Sequence, residues 1–340
     1  MGTVKNGIKI GLTIMGTTIG AGFASGREIW EFFTSYGSQS IIGIVVTMGL
    51  FLISSIVILW LSWRNQAENY YDILVILMGE HVAKIFDWFV FLYLFSGSVV
   101  MFAGSGAVFK QWGYPMSVGV FVIAIGLWLV LARGVSGLMQ FNSVLMPIKM
   151  LMMIWIGYQF LSTHHDTVDH FVRGHLKVWP SAVTYVAFNV ISLLGVLSTI
   201  GKRIRSKAEI MIGGIVGIGG LGLIAMIMNL SLLRISNVDH FEIPLFSLIP
   251  EQRSILMGLV SVILWLAIYS TALSNVHGLI YRVPKRVPFS TGQISFLFLS
   301  LIAPLSFIGF SNLIQILYPI YGVLNLYVLF LLILYPFQRV

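Results

Sequence analysis

Long apolar runs follow one another along almost the whole chain, separated by short polar stretches. A run of about 20 predominantly apolar residues is long enough to cross the hydrocarbon core of a bilayer as a helix. The pattern predicts about ten such helices, with ends placed to within several residues. They lie near residues 7–34, 39–63, 81–110, 116–132, 135–162, 178–201, 206–233, 254–281, 289–309 and 311–335.

The composition supports a membrane protein. The chain of 340 residues is 58% hydrophobic and 9% charged, whereas a soluble domain has about 25% charged residues. We therefore expect one all-α, multi-pass transmembrane domain over residues 1–340, with no soluble domain between the spans. The chain has no cysteine, which excludes disulfides, thiol catalysis and cysteine-ligated metals.

Lysine and arginine predict the orientation, because they are enriched in cytoplasmic loops. With the N-terminus inside, 13 basic residues fall on the inner side and 5 on the outer side. We therefore expect both termini to be cytoplasmic in the plasma membrane. The net charge of +8 then reflects topology and contact with the lipid bilayer rather than a nucleic-acid partner. The inner residues are Lys5, Lys9, Arg64, Lys84, Arg133, Lys202, Arg203, Arg205, Lys207, Arg282, Lys285, Arg286 and Arg339; the outer ones are Lys110, Arg173, Lys177, Arg234 and Arg253.

Two of the spans contain glycine and polar residues at membrane depth. Span one carries GTTIGAGFASGRE at 16–28, and span six carries FNVISLLG at 188–195. Interrupted helices at corresponding positions of two halves indicate an inverted repeat with a binding site between the breaks. The sequence therefore predicts a five-plus-five repeat, with halves near 5–162 and 178–335 and interrupted helices 1 and 6.

Irregular backbone at membrane depth is tolerated where it is buried in protein or lines a cavity. The carbonyls freed at a break favour a cation, and the following N–H groups favour a carboxylate. The alternative is that the glycines only allow close helix packing. We expect a small-molecule substrate to contact both breaks and the facing wall of span three, through Gly20, Ala21, Gly22, Ser25, Phe188, Asn189, Ser192, Tyr93 and Ser96.

The stretch GTTIGAG at 16–22 resembles the unwound first helix of LeuT-fold transporters in the amino acid–polyamine–organocation superfamily. The longer string IGAGFASGREIWEFF resembles the YkvI family of bacterial membrane proteins. The resemblance implies the LeuT fold and a cation-coupled secondary transporter of a small polar solute, such as an amino acid. It implies no cofactor beyond a coupling ion, H⁺ or Na⁺. The alternative is a nutrient-sensing receptor subunit, similar to spore germinant receptor subunits. We expect no enzyme activity.

Span eight contains a second feature of this resemblance. Sodium-coupled members bind Na⁺ with carbonyls of the first helix and with an Ala-x-x-Ser/Thr-Ser/Thr pattern in the eighth. Ala267, Ser270 and Thr271 match that pattern, and Gly16 and Ile19 match the carbonyl pair. The alternative is that the two hydroxyls bond back to the preceding turn of their own helix.

Lys149 is a charged residue near the middle of span five. A charge at that depth costs at least about 2.5–3.5 kcal/mol on insertion scales, so it needs a partner, a function or a path to the interface by snorkelling. Some proton-coupled relatives place a lysine of span five where others bind sodium. Lys149 and the Ser270/Thr271 pair therefore compete as the coupling site, and we favour the proton.

Arg27, Glu28 and Glu31 follow the first break, towards the outer side. We expect an outer gate in which an ion pair closes over bound solute, with simple positioning near the headgroups as the alternative. Glu242-Ile243-Pro244 in the loop between spans seven and eight is a candidate lid. The Gly217-x-Gly219-x-x-Gly222 string of span seven matches a dinucleotide fingerprint only formally, and we interpret it as close helix packing.

Overall fold

The computed structural model describes residues 2–133, 138–166, 173–250, 253–284 and 288–337. Within these ranges the regular structure is helical throughout, with no strand. Three basic residues counted for orientation, Lys285, Arg286 and Arg339, lie outside the described residues.

The α-helices are α1 (Gly2–Thr18), α2 (Ala21–Ala24), α3 (Arg27–Phe32), α4 (Ser40–Asn65), α5 (Tyr70–Gln111), α6 (Met116–Arg133), α7 (Leu138–Leu161), α8 (Trp179–Leu197), α9 (Lys207–Leu232), α10 (Ser254–Tyr281), α11 (Thr291–Leu305), α12 (Phe310–Leu324) and α13 (Leu326–Leu334).

The helices correspond to the predicted spans in number and position. In the described part of the chain, eight helical segments are long and apolar enough to cross a membrane, and α12 with α13 forms a ninth, bent by 44°. The segment α1–α3 is the remaining predicted span; α1 alone has 17 residues. The protein is therefore a multi-pass membrane protein.

The first span is interrupted where the sequence predicted. Regular helix ends at Thr18, and Gly20 has extended backbone (φ −75°, ψ −172°) before α2 begins. A second break follows at Gly26, whose φ of +79° lies in the left-handed region that favours glycine. The span therefore consists of three helical pieces, with two places where backbone groups lose their helical partners.

The sixth span differs from the prediction. Helix α8 continues without a break through residues 188–192 and then tightens into a 3₁₀ segment at Ser198–Arg203. The amide of Asn189 donates to the Tyr185 carbonyl one turn earlier at 3.0 Å, so this polar group is satisfied inside the helix. The predicted interruption of span six is not observed, and its backbone at 188–192 remains in helical hydrogen bonds.

Glycines bring the first half of span one close to span seven. Helix α1 packs extensively against α9. A methyl group added at Gly11 would lie 2.9 Å from the Gly217 nitrogen, and one added at Gly217 would lie 2.9 Å from the Gly11 carbonyl oxygen. Only glycine permits backbones to approach this closely. Two glycines of the span-seven string therefore pack closely, Gly217 against α1 and Gly222 against Met48 of α4.

This packing predicts different effects for two glycines of α9. Gly217→Ala should lower the free energy of unfolding by about 1–3 kcal/mol, because the added methyl meets backbone that must shift. Gly219 has no atom within 4 Å of an added Cβ, so Gly219→Ala should not lower stability. Thermal unfolding of both variants in detergent checks the difference, and equal stability of the two variants would contradict it.

Candidate functional site

The ammonium group of Lys149 lies at the break in the first span. Its Nζ donates to the Ile19 carbonyl at 3.0 Å, and the lysine is only 6% exposed. The carbonyls at the end of a helix lack intrahelical partners, and a cation is favourable there because of the helix dipole. The structure therefore brings together Lys149 of α7 and Ile19, two of the residues predicted for the coupling ion.

The three predicted ion-binding residues of span eight bond to one another. Helix α10, which carries them, packs against α2 and α7. Ser270 Oγ donates to the Ala267 carbonyl at 3.0 Å, and Thr271 Oγ1 donates to the same carbonyl at 2.9 Å. This is the back-bonding alternative considered for these hydroxyls. Gly16 lies in α1 facing α7, where an added methyl would be 3.6 Å from Met146 Cγ.

Glu28 turns away from the outer surface and back towards the break. Its Oε2 accepts a hydrogen bond from the Tyr185 hydroxyl at 2.8 Å, and the Phe23 backbone N–H donates to the same carboxylate. Its Oε1 lies so close to Gly22 that a Cβ there would clash with it. The side chain is 4% exposed. The structure thus places Glu28 at the predicted solute site rather than in an ion pair with Arg27.

Arg27 and Glu31 form a buried ion pair on α3, as expected for the outer gate residues. Arg27 NH2 lies 2.5 Å from Glu31 Oε1, and Arg173 NH2 lies 3.1 Å from Glu31 Oε2. Arg173 also donates to the Glu31 carbonyl at 2.7 Å, and Arg27 donates to the Phe241 carbonyl at 3.2 Å. One carboxylate therefore ties α3 to the loop before span six. The pairing of Arg173 with Glu31 was not predicted, because pairing between distant segments leaves no local pattern in the sequence.

The loop between spans seven and eight covers the second break. The Leu245 N–H donates to the Ser25 carbonyl at 2.8 Å. Glu242 accepts from Lys110 Nζ at 2.9 Å and from the Phe310 N–H at 3.2 Å. Glu242 of the predicted lid therefore connects the end of α5 to the start of α12, and Leu245, which directly follows the predicted lid, connects the loop to the end of α2.

Aromatic side chains from three helices meet beside the break. The Tyr93 hydroxyl and Ser192 Oγ lie 2.6 Å apart, which joins α5 to α8. The Phe188 ring lies 5.6 Å from the Tyr93 ring and stacks on Tyr318 at 4.0 Å, between centroids. Tyr93 also contacts Tyr321 at 5.7 Å. Tyr93, Phe188 and Ser192 were predicted from the sequence, whereas the two tyrosines of α12 were missed, because span ten shows no polar interruption.

Among the other residues that were predicted to contact the solute, the serines form hydrogen bonds through their hydroxyl groups within their own helical segments. Ser96 Oγ donates to the Leu92 carbonyl at 2.8 Å, and Ser25 Oγ donates to the Gly22 carbonyl at 2.7 Å. Ala21 is buried in α2, and Gly20 is half-buried at the break itself. Their contact with a solute stays a prediction.

Comparison with known proteins gives relatives over the full length of the chain. No protein-family model matches it. The chain is 34% identical over 333 residues to the uncharacterized protein YyaD of Bacillus subtilis, covering 98% of this chain and 97% of YyaD. It is 28% identical over 322 residues to the uncharacterized membrane protein YkvI of the same organism, covering 94% and 92%.

A solved structure has the same fold. The crystal structure of MhsT in complex with L-phenylalanine superposes with a TM-score of 0.62 over 96% of this chain and 88% of MhsT, at 14% sequence identity. MhsT is a LeuT-fold transporter. The similarity confirms that the chain has the LeuT fold predicted from its sequence; at this identity it shows the fold and no more.

The buried ion pair predicts a large effect of one substitution. Glu31→Gln should lower the free energy of unfolding by about 3–5 kcal/mol, because Arg27 would remain buried, and Arg173 half-buried, without their carboxylate. The matched control is Glu68→Gln, which breaks the exposed pair with Lys202 and should have little effect. Thermal unfolding in detergent measures both. Similar losses for the two variants would contradict the structural role of Glu31.

Proposed function

Because this chain belongs to the family of membrane proteins that includes YyaD and YkvI of Bacillus subtilis, and because it has the LeuT fold, we propose that it is a secondary transporter. It carries a small polar solute, an amino acid or a related metabolite, across the plasma membrane by alternating access. Transport is coupled to a cation, and both termini are cytoplasmic. The excess of basic residues on the inner side supports this orientation.

The proposal depends mainly on one observation, the break of span one with Lys149 bonded to its Ile19 carbonyl. A soluble solute needs polar partners at membrane depth, and a break supplies backbone groups that a continuous helix keeps for itself. Glu28, Tyr93 and Ser192 add polar side chains at the same place. A chain that served only as a membrane anchor would gain nothing from these buried polar groups.

The proton is the coupling ion that the contacts favour. Sodium binding at the first and eighth spans would need the Ile19 and Ala267 carbonyls together with two hydroxyls. Here the Ile19 carbonyl accepts from Lys149, and the hydroxyls of Ser270 and Thr271 both donate to Ala267. A protonated Lys149 thus supplies the positive charge at this position. If Lys149 loses its proton to water on the inner side, its contact with the Ile19 carbonyl weakens. The backbone between α1 and α2 is then free to move.

The outer ion pair and the lid support alternating access. Glu31 joins α3 to Arg173, and Leu245 of the lid bonds to Ser25 at the second break. Both contacts must open before a solute reaches the break from outside. Gly20 and Gly26, at the two ends of α2, provide backbone freedom for such a movement.

Thermal stability with added ligand is the first test. Purified protein in detergent is heated with a panel of amino acids and small metabolites, with and without Na⁺ and at two pH values. A ligand stabilises the state that it binds, by about 2.7 kcal/mol at 100 times its Kd. We expect a solute-dependent shift that changes with pH and not with Na⁺. Binding without any flux in proteoliposomes would instead favour the receptor function.

Uptake into proteoliposomes separates the two candidate coupling sites. A pH gradient, acid outside, should drive accumulation of the solute identified above, whereas a Na⁺ gradient should not. Lys149→Ala should abolish this accumulation and retain exchange of labelled for unlabelled solute, because the charge that couples proton to solute is gone. Ser270→Ala should accumulate solute as the unmodified protein does.

The matched control for charge removal is Lys84→Ala, since Lys84 is exposed and its ion pair is with Glu80 in the preceding turn. Its accumulation should equal that of the unmodified protein. Accumulation driven by Na⁺, lost in Ser270→Ala and intact in Lys149→Ala, would overturn proton coupling through Lys149.

A further inference from the structure

Glu28 is a buried carboxylate without a cationic partner. In the described part of the chain, no lysine, arginine or histidine side chain pairs with it. The two nearby arginines, Arg27 and Arg173, are bound to Glu31, and Lys149 donates to a backbone carbonyl. A buried charge is normally paired, since its burial is costly otherwise. The site therefore contains one carboxyl group for which the described residues provide no counter-charge.

The neighbours of Glu28 are aromatic rings. The Tyr185 hydroxyl donates to Oε2 at 2.8 Å, and the carboxylate also interacts electrostatically with Tyr93 and Tyr318. Phe188 stacks on Tyr318 and contacts Tyr93. The faces of aromatic rings attract cations, so the rings and the carboxylate favour the same kind of ligand. The same surroundings disfavour a second carboxylate.

The position of Glu28 also coincides with the predicted solute site. Its Oε1 lies against Gly22, where a Cβ would displace it, and Phe23 donates to the carboxylate from the backbone. The carboxyl group of Glu28 thus lies at the start of α2, the helical piece whose N–H groups were expected to favour a carboxylate. A solute that enters this site meets a carboxyl group that the Tyr185 hydroxyl holds in place.

We propose that Glu28 is the binding site for the ammonium group of the solute, and that recognition requires the amine and not a carboxylate. The inference depends on the proposed transport function and names its substrate class: amines with an apolar or aromatic part. The ammonium pairs with Glu28, and the apolar part contacts Tyr93, Phe188 and Tyr318. Amino acids bind through their amino group only.

Matched compounds test this requirement. For each of three side chains the purified protein is titrated with the amino acid, the amine and the deaminated acid, with thermal stability and calorimetry as readouts. The compounds are alanine, ethylamine and propanoate; leucine, isoamylamine and 4-methylpentanoate; phenylalanine, phenethylamine and 3-phenylpropanoate. We expect at least one amine to bind as tightly as its amino acid, and the deaminated acids to bind at least tenfold more weakly.

Two variants locate the binding to Glu28. Glu28→Gln keeps the size of the side chain and an acceptor for Tyr185, and should weaken amine binding at least tenfold; Glu28→Asp should restore part of it. The methyl group of Gly22→Ala would have the Glu28 side chain as its nearest neighbour, so this variant should weaken amine binding while the protein stays folded. The control is Glu80→Gln, which removes an exposed charge paired with Lys84 and should leave affinity unchanged.

The outcomes separate this inference from the transport proposal. Deaminated acids that bind as well as the amines, or amine binding that is unchanged in Glu28→Gln, would overturn the role of Glu28 and leave transport standing. The role of Glu28 is also overturned, and transport again left standing, if none of the amines stabilises the protein while another solute of the earlier panel does. If no compound of either set stabilises it, both proposals fail.

Discussion

The backbone groups released where span one breaks must find partners at membrane depth, and the arrangement around them follows from this requirement. The hydrocarbon core of a bilayer supplies no hydrogen-bond partners, and an unsatisfied polar group buried there costs several kcal/mol. The chain meets this cost with its own side chains. Lys149 donates to the Ile19 carbonyl, and Glu28 accepts from the Phe23 N–H. A positive and a negative side chain therefore serve the two sides of one break.

These two contacts depend on the packing that surrounds them. Lys149 reaches Ile19 because α7 lies beside span one, where Gly16 faces Met146. Glu28 lies at the break without a basic partner among the described residues, because Glu31 pairs with both Arg27 of α3 and Arg173 of the loop before span six. Charge is thereby divided between an outer ion cluster that holds segments together and an inner pair of groups that is left for ligands. This division is the physical basis of both proposals.

The sequence predicted the fold well and the pairings within it poorly. The ten spans follow from apolar length, and the break in span one follows from Gly20 and the polar residues around it, since these are local properties. The break predicted in span six was not observed, because Asn189 bonds to the Tyr185 carbonyl of its own helix and composition does not distinguish a satisfied amide from a free one. The partner of Glu31 was missed because Arg173 is distant in sequence. The direction of Glu28 depends on one side-chain rotamer, which no pattern of residues encodes.

The central claim is that a protonated Lys149 takes the place of a metal cation at the break. The most direct test of this claim is to measure proton flux that the solute drives. A pH-sensitive dye is enclosed in lightly buffered, sodium-free proteoliposomes, and protein-free vesicles serve as the reference. We predict that adding a transported solute acidifies the lumen when the unmodified protein is present and causes no acidification with Lys149→Ala. Solute entry through the unmodified protein without a change in internal pH, or entry that requires Na⁺, would contradict the account.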